Sequence, residues 1–183
     1  LALVLDEMRV RWRQEDEVLQ LLARRSQARI ESNRLARDQT AAMAQQLEQL
    51  RKTESYLTAW SDDEPLISVR IASYKNTKAL MEVAIPSVLA QSYTNWELII
   101  VNDGPNQETR EAVQALNDPR VTYLEFPNRS QYPADPYLRW LVAGSPGMNK
   151  GAELASGKWI APLDDDDEFA PDHIERLLEL ARS

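Results

Sequence analysis

The 183-residue sequence predicts an α/β fold, a mostly parallel sheet preceded by a long α-helical extension. Three observations carry that prediction. Short apolar runs of strand composition alternate with segments of helical spacing between residues 66 and 181, the pattern of a parallel sheet covered on both faces with right-handed crossovers. Residues 1–58 hold neither Gly nor Pro and are rich in Arg, Gln, Glu, Ala and Leu, which enter helices at little cost. Four consecutive carboxylates, Asp164 to Asp167, follow the apolar run 159–163, and ligands of open α/β sheets bind at the carboxyl ends of strands.

In the extension, a seven-residue repeat puts Leu5, Met8, Trp12, Glu15, Leu19, Leu22, Ser26, Arg29, Asn33, Ala36, Thr40, Met43, Leu47, Leu50, Glu54 and Leu57 at its a and d positions. The ends of this stripe are apolar and its middle is polar. Three arrangements stay open: a coiled coil with a weak centre, which would bring self-association; two helices folded back on each other; and a helix packed on its own domain or a neighbour.

Ser61-Asp62-Asp63-Glu64-Pro65 breaks the helical pattern and marks a linker between an extension, 1–60, and a domain, 61–183. Residues 66–72 have strand composition, and 78–91 read as a helix whose second part Pro86 starts or kinks. The apolar run 97–101 fits a strand buried on both faces and ends in the turn 102–105. A helix over 108–116 stops at Asn117-Asp118-Pro119, and 121–126 is the next strand. Residues 127–146, dense in Pro and aromatics, read as a long loop. A helix over 148–155, a break at Gly157, a strand over 158–163 and a helix over 171–181 with Pro171 in its first turn complete the pattern.

Composition narrows the chemistry. With no cysteine there is neither a disulfide framework nor a thiolate site, which suits a reducing compartment. A Ser/His/Asp triad would need the single histidine, His173, and no serine motif supports one. No apolar stretch reaches the ~20 residues that span a bilayer, and the opening Leu1-Ala2-Leu3-Val4-Leu5 is too short and too soon charged for a signal peptide. A first residue other than Met marks the sequence as an expected excerpt of a longer chain. Residues 1–60 carry ten Lys/Arg against nine Asp/Glu, and residues 61–183 carry eleven against twenty. The acidic domain therefore repels nucleic acid, although an acidic cleft can still hold a small anion bridged by a metal.

Three strand ends carry unusual residues: Ser73-Tyr74-Lys75-Asn76, Asn102-Asp103-Gly104 and the Asp run. In a parallel sheet they share one edge and can converge on one ligand. Alone, an Asp run is a solvated acidic loop. At that edge it suits Mn²⁺ or Mg²⁺, which takes one or two carboxylates and completes its shell with phosphate oxygens, so a diphosphate is the implied ligand. Asp103 has the chemistry to accept hydrogen bonds from a base or sugar. Tyr74 offers an aromatic face, or is a core tyrosine.

From Pro65 to Ala181 the sequence resembles the nucleotide-binding half of a family 2 glycosyltransferase of the A-type fold. Val69-Arg70-Ile71-Ala72-Ser73-Tyr74-Lys75-Asn76 is similar to the family's opening strand and Pro-Thr-Tyr-Asn turn. The block from Ser87-Val88-Leu89-Ala90-Gln91 to Val101-Asn102-Asp103-Gly104 follows its Ser-Val-Leu-Ala-Gln to Asp-Asp-Gly-Ser segment, and Asn117-Asp118-Pro119-Arg120-Val121 its Asp-Pro-Arg step. Gly147-Met148-Asn149-Lys150-Gly151 and the Asp run match its Ala-Arg-Asn-x-Gly and metal-binding Asp-x-Asp segments.

The resemblance implies that Ala72, Ser73 and Tyr74 line a nucleotide base that Asp103 hydrogen-bonds. It places Asp164 and Asp165 near the ribose and diphosphate, Asp166 and Asp164 on the metal, and Asn149 and Lys150 at nucleotide or phosphate contacts. It implies a nucleoside diphosphate sugar as donor, a UDP-sugar foremost, a saccharide or other hydroxyl acceptor, transfer with inversion in polysaccharide biosynthesis, and a cytoplasmic setting that includes the inner face of a membrane. Ala72 departs from the family's Pro, Asn102 from its first Asp, Pro105 from its Ser and Met148 from its Arg. A lost cationic contact could fall to Lys150 or Arg139. Residues 132–140 look inserted, as a lid over the donor or as packing at the sheet edge.

No residue of the chain is assignable as the base that activates the acceptor, which the resemblance places beyond the Asp run. Two rivals remain: a non-catalytic sugar-nucleotide-binding remnant in a coiled-coil interaction protein, and a nucleotidyltransferase. The second would show a Gly-rich, basic phosphate loop after the first strand, which Ser73-Tyr74-Lys75-Asn76 is not.

Overall fold

The computed structural model describes residues 19–20, 22–27, 29–30, 33–34, 37, 40–59 and 61–182. The chain divides into two compact units between Thr58 and Ala59. In the first, the described residues up to Leu50 are helical and exposed, including the stripe members Leu19, Leu22, Met43, Leu47 and Leu50. Leu5, Met8, Trp12, Glu15 and Ala36 lie outside the described residues. The expected helix does not run unbroken to residue 58. It stops at 51–53, where the Thr53 hydroxyl donates to the Leu50 carbonyl (2.6 Å) and accepts from the Tyr56 N–H (3.4 Å), capping a new short helix, Glu54–Leu57.

The second unit is built on four parallel strands in the order β3-β2-β1-β4: β1 (Ile67–Ser73), β2 (Trp96–Asn102), β3 (Val121–Glu125) and β4 (Trp159–Asp164). The near-continuous apolar run of β2 follows from its central place, with Leu98, Ile99, Ile100 and Val101 buried on both faces, while β1 buries Ile67, Val69 and Ile71 and leaves Arg70 half-buried. β4 lies at the edge and alternates, leaving Ile160 and Pro162 exposed; a proline, which cannot donate to the ladder, suits that place. Register pairs Ser73 with Asn102 and Ala72 with Asp164, which brings the strand termini to one edge.

The helices depart from expectation where local chemistry outweighs composition. The segment after β1 is α1 (Thr77–Ala79), a π turn (Leu80–Ala84) and α2 (Ile85–Leu89). Pro86 has no N–H to return to the preceding turn, and the wider π spacing carries the chain past it. α3 (Gln107–Ala115) is capped by Asn106, which accepts from the Thr109 N–H at 3.2 Å.

Residues 127–146 are not one loop: they contain α4 (Pro136–Val142) and the start of α5 (Ser145–Leu154). Asp135 caps α4 by accepting from the Tyr137 and Leu138 N–H groups at 2.9 and 3.1 Å, with Pro136 in the first turn. Pro171 precedes the last helix, α6 (His173–Arg182), and is not part of it. Buried Gln91 sets that start, donating to the Ala170 carbonyl (2.7 Å) and accepting from the Ile174 N–H (3.1 Å). His173 stacks on Phe169 with ring centroids 4.2 Å apart.

At the amino edge of the sheet Ser68 donates to Glu97 (2.6 Å), Glu97 accepts the Ser156 N–H (2.7 Å), and the Gly157 N–H reaches Ser68 Oγ (2.8 Å). Burial alone would raise the Glu97 carboxyl, but these hydrogen bonds outweigh it and hold the group below the usual carboxylate range. The bonds fix β2 and the lead-in to β4 against β1, and thereby the height of the strand ends at the opposite edge.

Candidate functional site

At the carboxyl edge, above β1 and β2, lies a cavity of about 450 Å³. β1 supplies Ala72 and Ser73, and the turn after it supplies Tyr74, Lys75 and Asn76; Lys75 takes a left-handed φ of 54°. β2 delivers Asp103, whose N–H is fixed by the Ser73 carbonyl at 2.8 Å. The turn after β4 contributes Asp165, which accepts a hydrogen bond from Asn76 Nδ2 at 3.1 Å. Arg129 and Tyr132 close one side, and Arg139, Ala143, Gly144 and Gly147 another.

Gly104 makes room for the returning chain. Its φ of +114° is closed to ordinary L-residues, and a Cβ there would stand 3.1 Å from the Arg129 nitrogen. Residues 129–132 therefore lie directly over the end of β2. Asp103, only 5% exposed, accepts from the Ser130 N–H (2.9 Å) and from the Tyr132 hydroxyl (2.7 Å), with Arg129 Nε 4.0 Å away. Burial would raise this carboxyl, but the two hydrogen bonds and the guanidinium outweigh it and hold it below its ordinary value. The same contacts act oppositely on Tyr132: burial, then the bonded carboxylate, push its hydroxyl up.

Arg129 also lies on the Tyr74 ring, with Cζ 3.9 Å from the centroid. Two buried side-chain oxygens, Ser73 Oγ at the cavity wall and Asn102 Oδ1 beneath it, have no hydrogen-bond partner among the described residues. Native interiors rarely leave such atoms unpaired, so Ser73 Oγ marks a place for a polar ligand atom or water.

Of the residues expected at a ligand, Ala72, Ser73, Tyr74, Asp103 and Asp165 converge on this cavity. Asp164, Asp166, Asn149 and Lys150 are not among its lining: Asp164, Asp166 and Asn149 are exposed, and Lys150 pairs with Glu153 of its own helix at 3.1 Å. The Asp run bends at once, since the turn that starts at Asp165 sends the next side chains to solvent. No group of three or more metal-ligating side chains stands together among the described residues. Arg129 went unrecognised in the sequence, and Tyr132 was read only as the first residue of a segment that either covers the donor or packs at the sheet edge. The only signal available was their place just past β3, a third strand ending at the same edge.

An open parallel α/β sheet with a polar cavity, an aromatic face and a buried carboxylate at its carboxyl edge has the architecture of the open α/β class, whose ligands bind at that edge. The family can be stated outright: residues 68–135 and 139–183 match the model of glycosyl transferase family 2, and the chain belongs to that family. It is 36% identical over 118 residues to WcaA of Escherichia coli (strain K12), a glycosyl transferase assigned provisionally to colanic acid biosynthesis; the match covers 63% of this chain and 38% of that one. It is 31% identical over 119 residues to the E. coli enzyme WfgD, a UDP-Glc:α-D-GlcNAc-diphosphoundecaprenol β-1,3-glucosyltransferase, covering 64% of this chain and 42% of WfgD. The chain thus spans less than half of the curated relatives it matches. Among solved structures, S. aureus TarS shares the fold with a TM-score of 0.50 at 18% identity over 62% of this chain and 19% of TarS. No helix among the described residues is long and apolar enough to cross a membrane.

Proposed function

We propose that the chain is the donor-binding part of an inverting glycosyltransferase of polysaccharide biosynthesis that takes a nucleoside diphosphate sugar, a UDP-sugar first. The observation that carries this is the convergence of Tyr74, unpartnered Ser73 Oγ, buried Asp103 and Asp165 on one cavity at the carboxyl edge of the sheet. Tyr74 offers the face on which a base stacks. Asp103, held ionised, accepts a base N–H; Ser73 Oγ can donate to or accept from the nucleoside; Ala72 leaves room beside them.

Asp164 and Asp165 face the ribose and diphosphate in this proposal, with Asn149 and Lys150 reaching the phosphates from α5. Asp166 with Asp164 would hold Mn²⁺ or Mg²⁺. The donor set fits, because Asp164 at the end of β4 and Asp166 on the turn after it flank Asp165 at the cavity wall, and such an ion needs only one or two protein carboxylates beside phosphate oxygens. When bound, the ion would neutralise charge on the departing diphosphate. The chain's own groups bind and orient the donor, and the acceptor's base lies outside the set assigned here. The name of WfgD carries a lipid-linked acceptor, and we extend that chemistry to this chain as a hydroxyl acceptor presented at the inner, cytoplasmic face of a membrane. Self-association through the helical extension is part of the same proposal.

Calorimetric titration with UDP, GDP and dTDP, with and without Mn²⁺, tests the site. Binding is expected for one base, strengthened by the metal, and weakened at least tenfold by D166A. Binding indifferent to both metal and substitution would refute the metal assignment.

A further inference from the structure

The base end of the cavity is already filled by the chain itself. The Arg129 guanidinium stacks on Tyr74 with Cζ 3.9 Å from the ring centroid, which is van der Waals contact, so no second ring fits between them. The Tyr132 hydroxyl and Ser130 N–H occupy the two Asp103 oxygens at 2.7 and 2.9 Å, and little of that carboxylate faces solvent. A guanidinium is flat, stacks on an aromatic face and carries N–H donors suited to a carboxylate. Here it covers the Tyr74 face and stands 4.0 Å from Asp103, whose oxygens Tyr132 and Ser130 hold, so residues 129–132 together occupy the two groups that a base would use.

We infer that residues 129–132 form a self-occluding strap, and that Arg129 and Tyr132 set nucleotide affinity by competing with the base for Tyr74 and Asp103. The inference rests on the nucleotide-donor assignment of the cavity. Binding then proceeds by exchange: the guanidinium leaves Tyr74 as the base arrives, and Asp103 passes from Tyr132 to a base N–H. The strap keeps Asp103 paired while the cavity is empty, which removes the penalty of an unpaired buried carboxylate and takes an equivalent amount from ligand affinity. The Arg129 side chain is half exposed, so its stack lies at the weak end of the cation–π range and its removal should tighten binding about two- to five-fold.

The test titrates UDP with Mn²⁺ into the full chain and its R129A, R129Q, Y132F and D103N variants, alongside an NMR measurement on ligand-free protein. Without ligand, the Arg129 side-chain protons should show an upfield ring-current shift that Y74L abolishes. Tighter binding by R129A, R129Q and Y132F, weaker binding by D103N, and loss of the ring-current shift on adding UDP are the expected results. Weaker binding by R129A and R129Q would make Arg129 a ligand contact and overturn the strap while leaving the donor site standing. A ring-current shift present but untouched by UDP, with no binding by any variant, would overturn the donor assignment and the competition with it. Absence of the shift in ligand-free protein would overturn the strap whatever the titrations show.

Discussion

Gly157→Ala should cost the sheet unit about 3 kcal/mol. An ideal Cβ at residue 157 would stand 2.6 Å from the Leu66 carbonyl oxygen, 2.6 Å from Ser68 Oγ and 2.7 Å from the Ser68 nitrogen. Ordinary contact begins near 3.4 Å, so the chain around 157 and the start of β1 must part by roughly the difference between 3.4 and 2.6 Å. Two of the three obstructing atoms are backbone, which cannot swing aside as a long side chain would. The separation strains the Lys158 N–H bond to the Leu66 carbonyl (2.8 Å), the Gly157 N–H bond to Ser68 Oγ (2.8 Å) and the Ser68 bond to Glu97 (2.6 Å). Two neutral bonds at ~0.5–1.5 kcal/mol each and one to a charged acceptor at ~1.5–3 kcal/mol bound the loss, and incomplete rupture brings it to about 3 kcal/mol. With m near ~2 kcal/mol per M, the urea midpoint should fall by about 1.5 M at unchanged slope. Gly151→Ala is the milder comparison: its Cβ would stand 3.2 Å from Arg70 Cβ, which β1 holds in place, a smaller overlap with no backbone atom, and the gain in helix propensity offsets part of it, so its midpoint should fall less than that of G157A. A G157A midpoint within about 0.2 M of wild type would refute the close-approach argument.

Three further outcomes follow from the site and its frame. Gly104→Ala should destabilise by about 1–3 kcal/mol through the positive φ and the Arg129 backbone, and should speed amide exchange at Ser130 more than in the core strands. The Asp103 carboxyl is lowered in the folded protein, so its stabilisation is complete above the unfolded carboxylate pKa near ~3.9 and is lost as pH falls through the folded value. D103N should therefore be less stable than wild type at pH 7 in urea titrations, with the gap closing on acidification below about pH 4. Asp135→Ala removes the cap of α4 at a cost of about 1 kcal/mol; because that helix is exposed, exchange should quicken at Tyr137 and Leu138 while the global urea midpoint barely moves.

The sheet was legible because β2 is buried on both faces and leaves the run Leu98 to Val101, while β1 shows β-branched residues in alternation, and both runs are too short for a helix and are bounded by turn residues. α4 was missed for the opposite reason. Pro and aromatic density over 127–146 suggested a loop, although Asp135-Pro136 is an N-cap followed by an N1 proline, a local start signal that outranks composition. The π turn at Leu80–Ala84 was visible only as a difficulty at Pro86. In the cavity, Ser73, Tyr74 and Asp103 were readable since strand ends of a parallel sheet must share an edge. Arg129 was not, and Tyr132 was readable only as the start of a candidate lid, because their place depends on a chain reversal over Gly104 that no periodicity encodes.

The Asp run shows how position, rather than charge, assigns a role. Four adjacent carboxylates suggest one cluster, yet they leave β4 through a turn, and successive side chains of a turn diverge. Asp165 alone joins the cavity wall, where the Asn76 amide ties it to the loop after β1, while Asp164, Asp166 and Asp167 face solvent. The two ends of the cavity are therefore unlike. Asp103 is shielded and bonded by the chain's own Tyr132 and Ser130, whereas the Asp turn keeps exposed carboxylates within reach of incoming charge. A nucleoside diphosphate would meet the open acidic end at once only if a cation accompanied it, since like charges repel there. Its base would gain Tyr74 and Asp103 only after displacing Arg129. On the proposed function, metal dependence should consequently appear in the rate of association, and the strap variants should act on the step that follows.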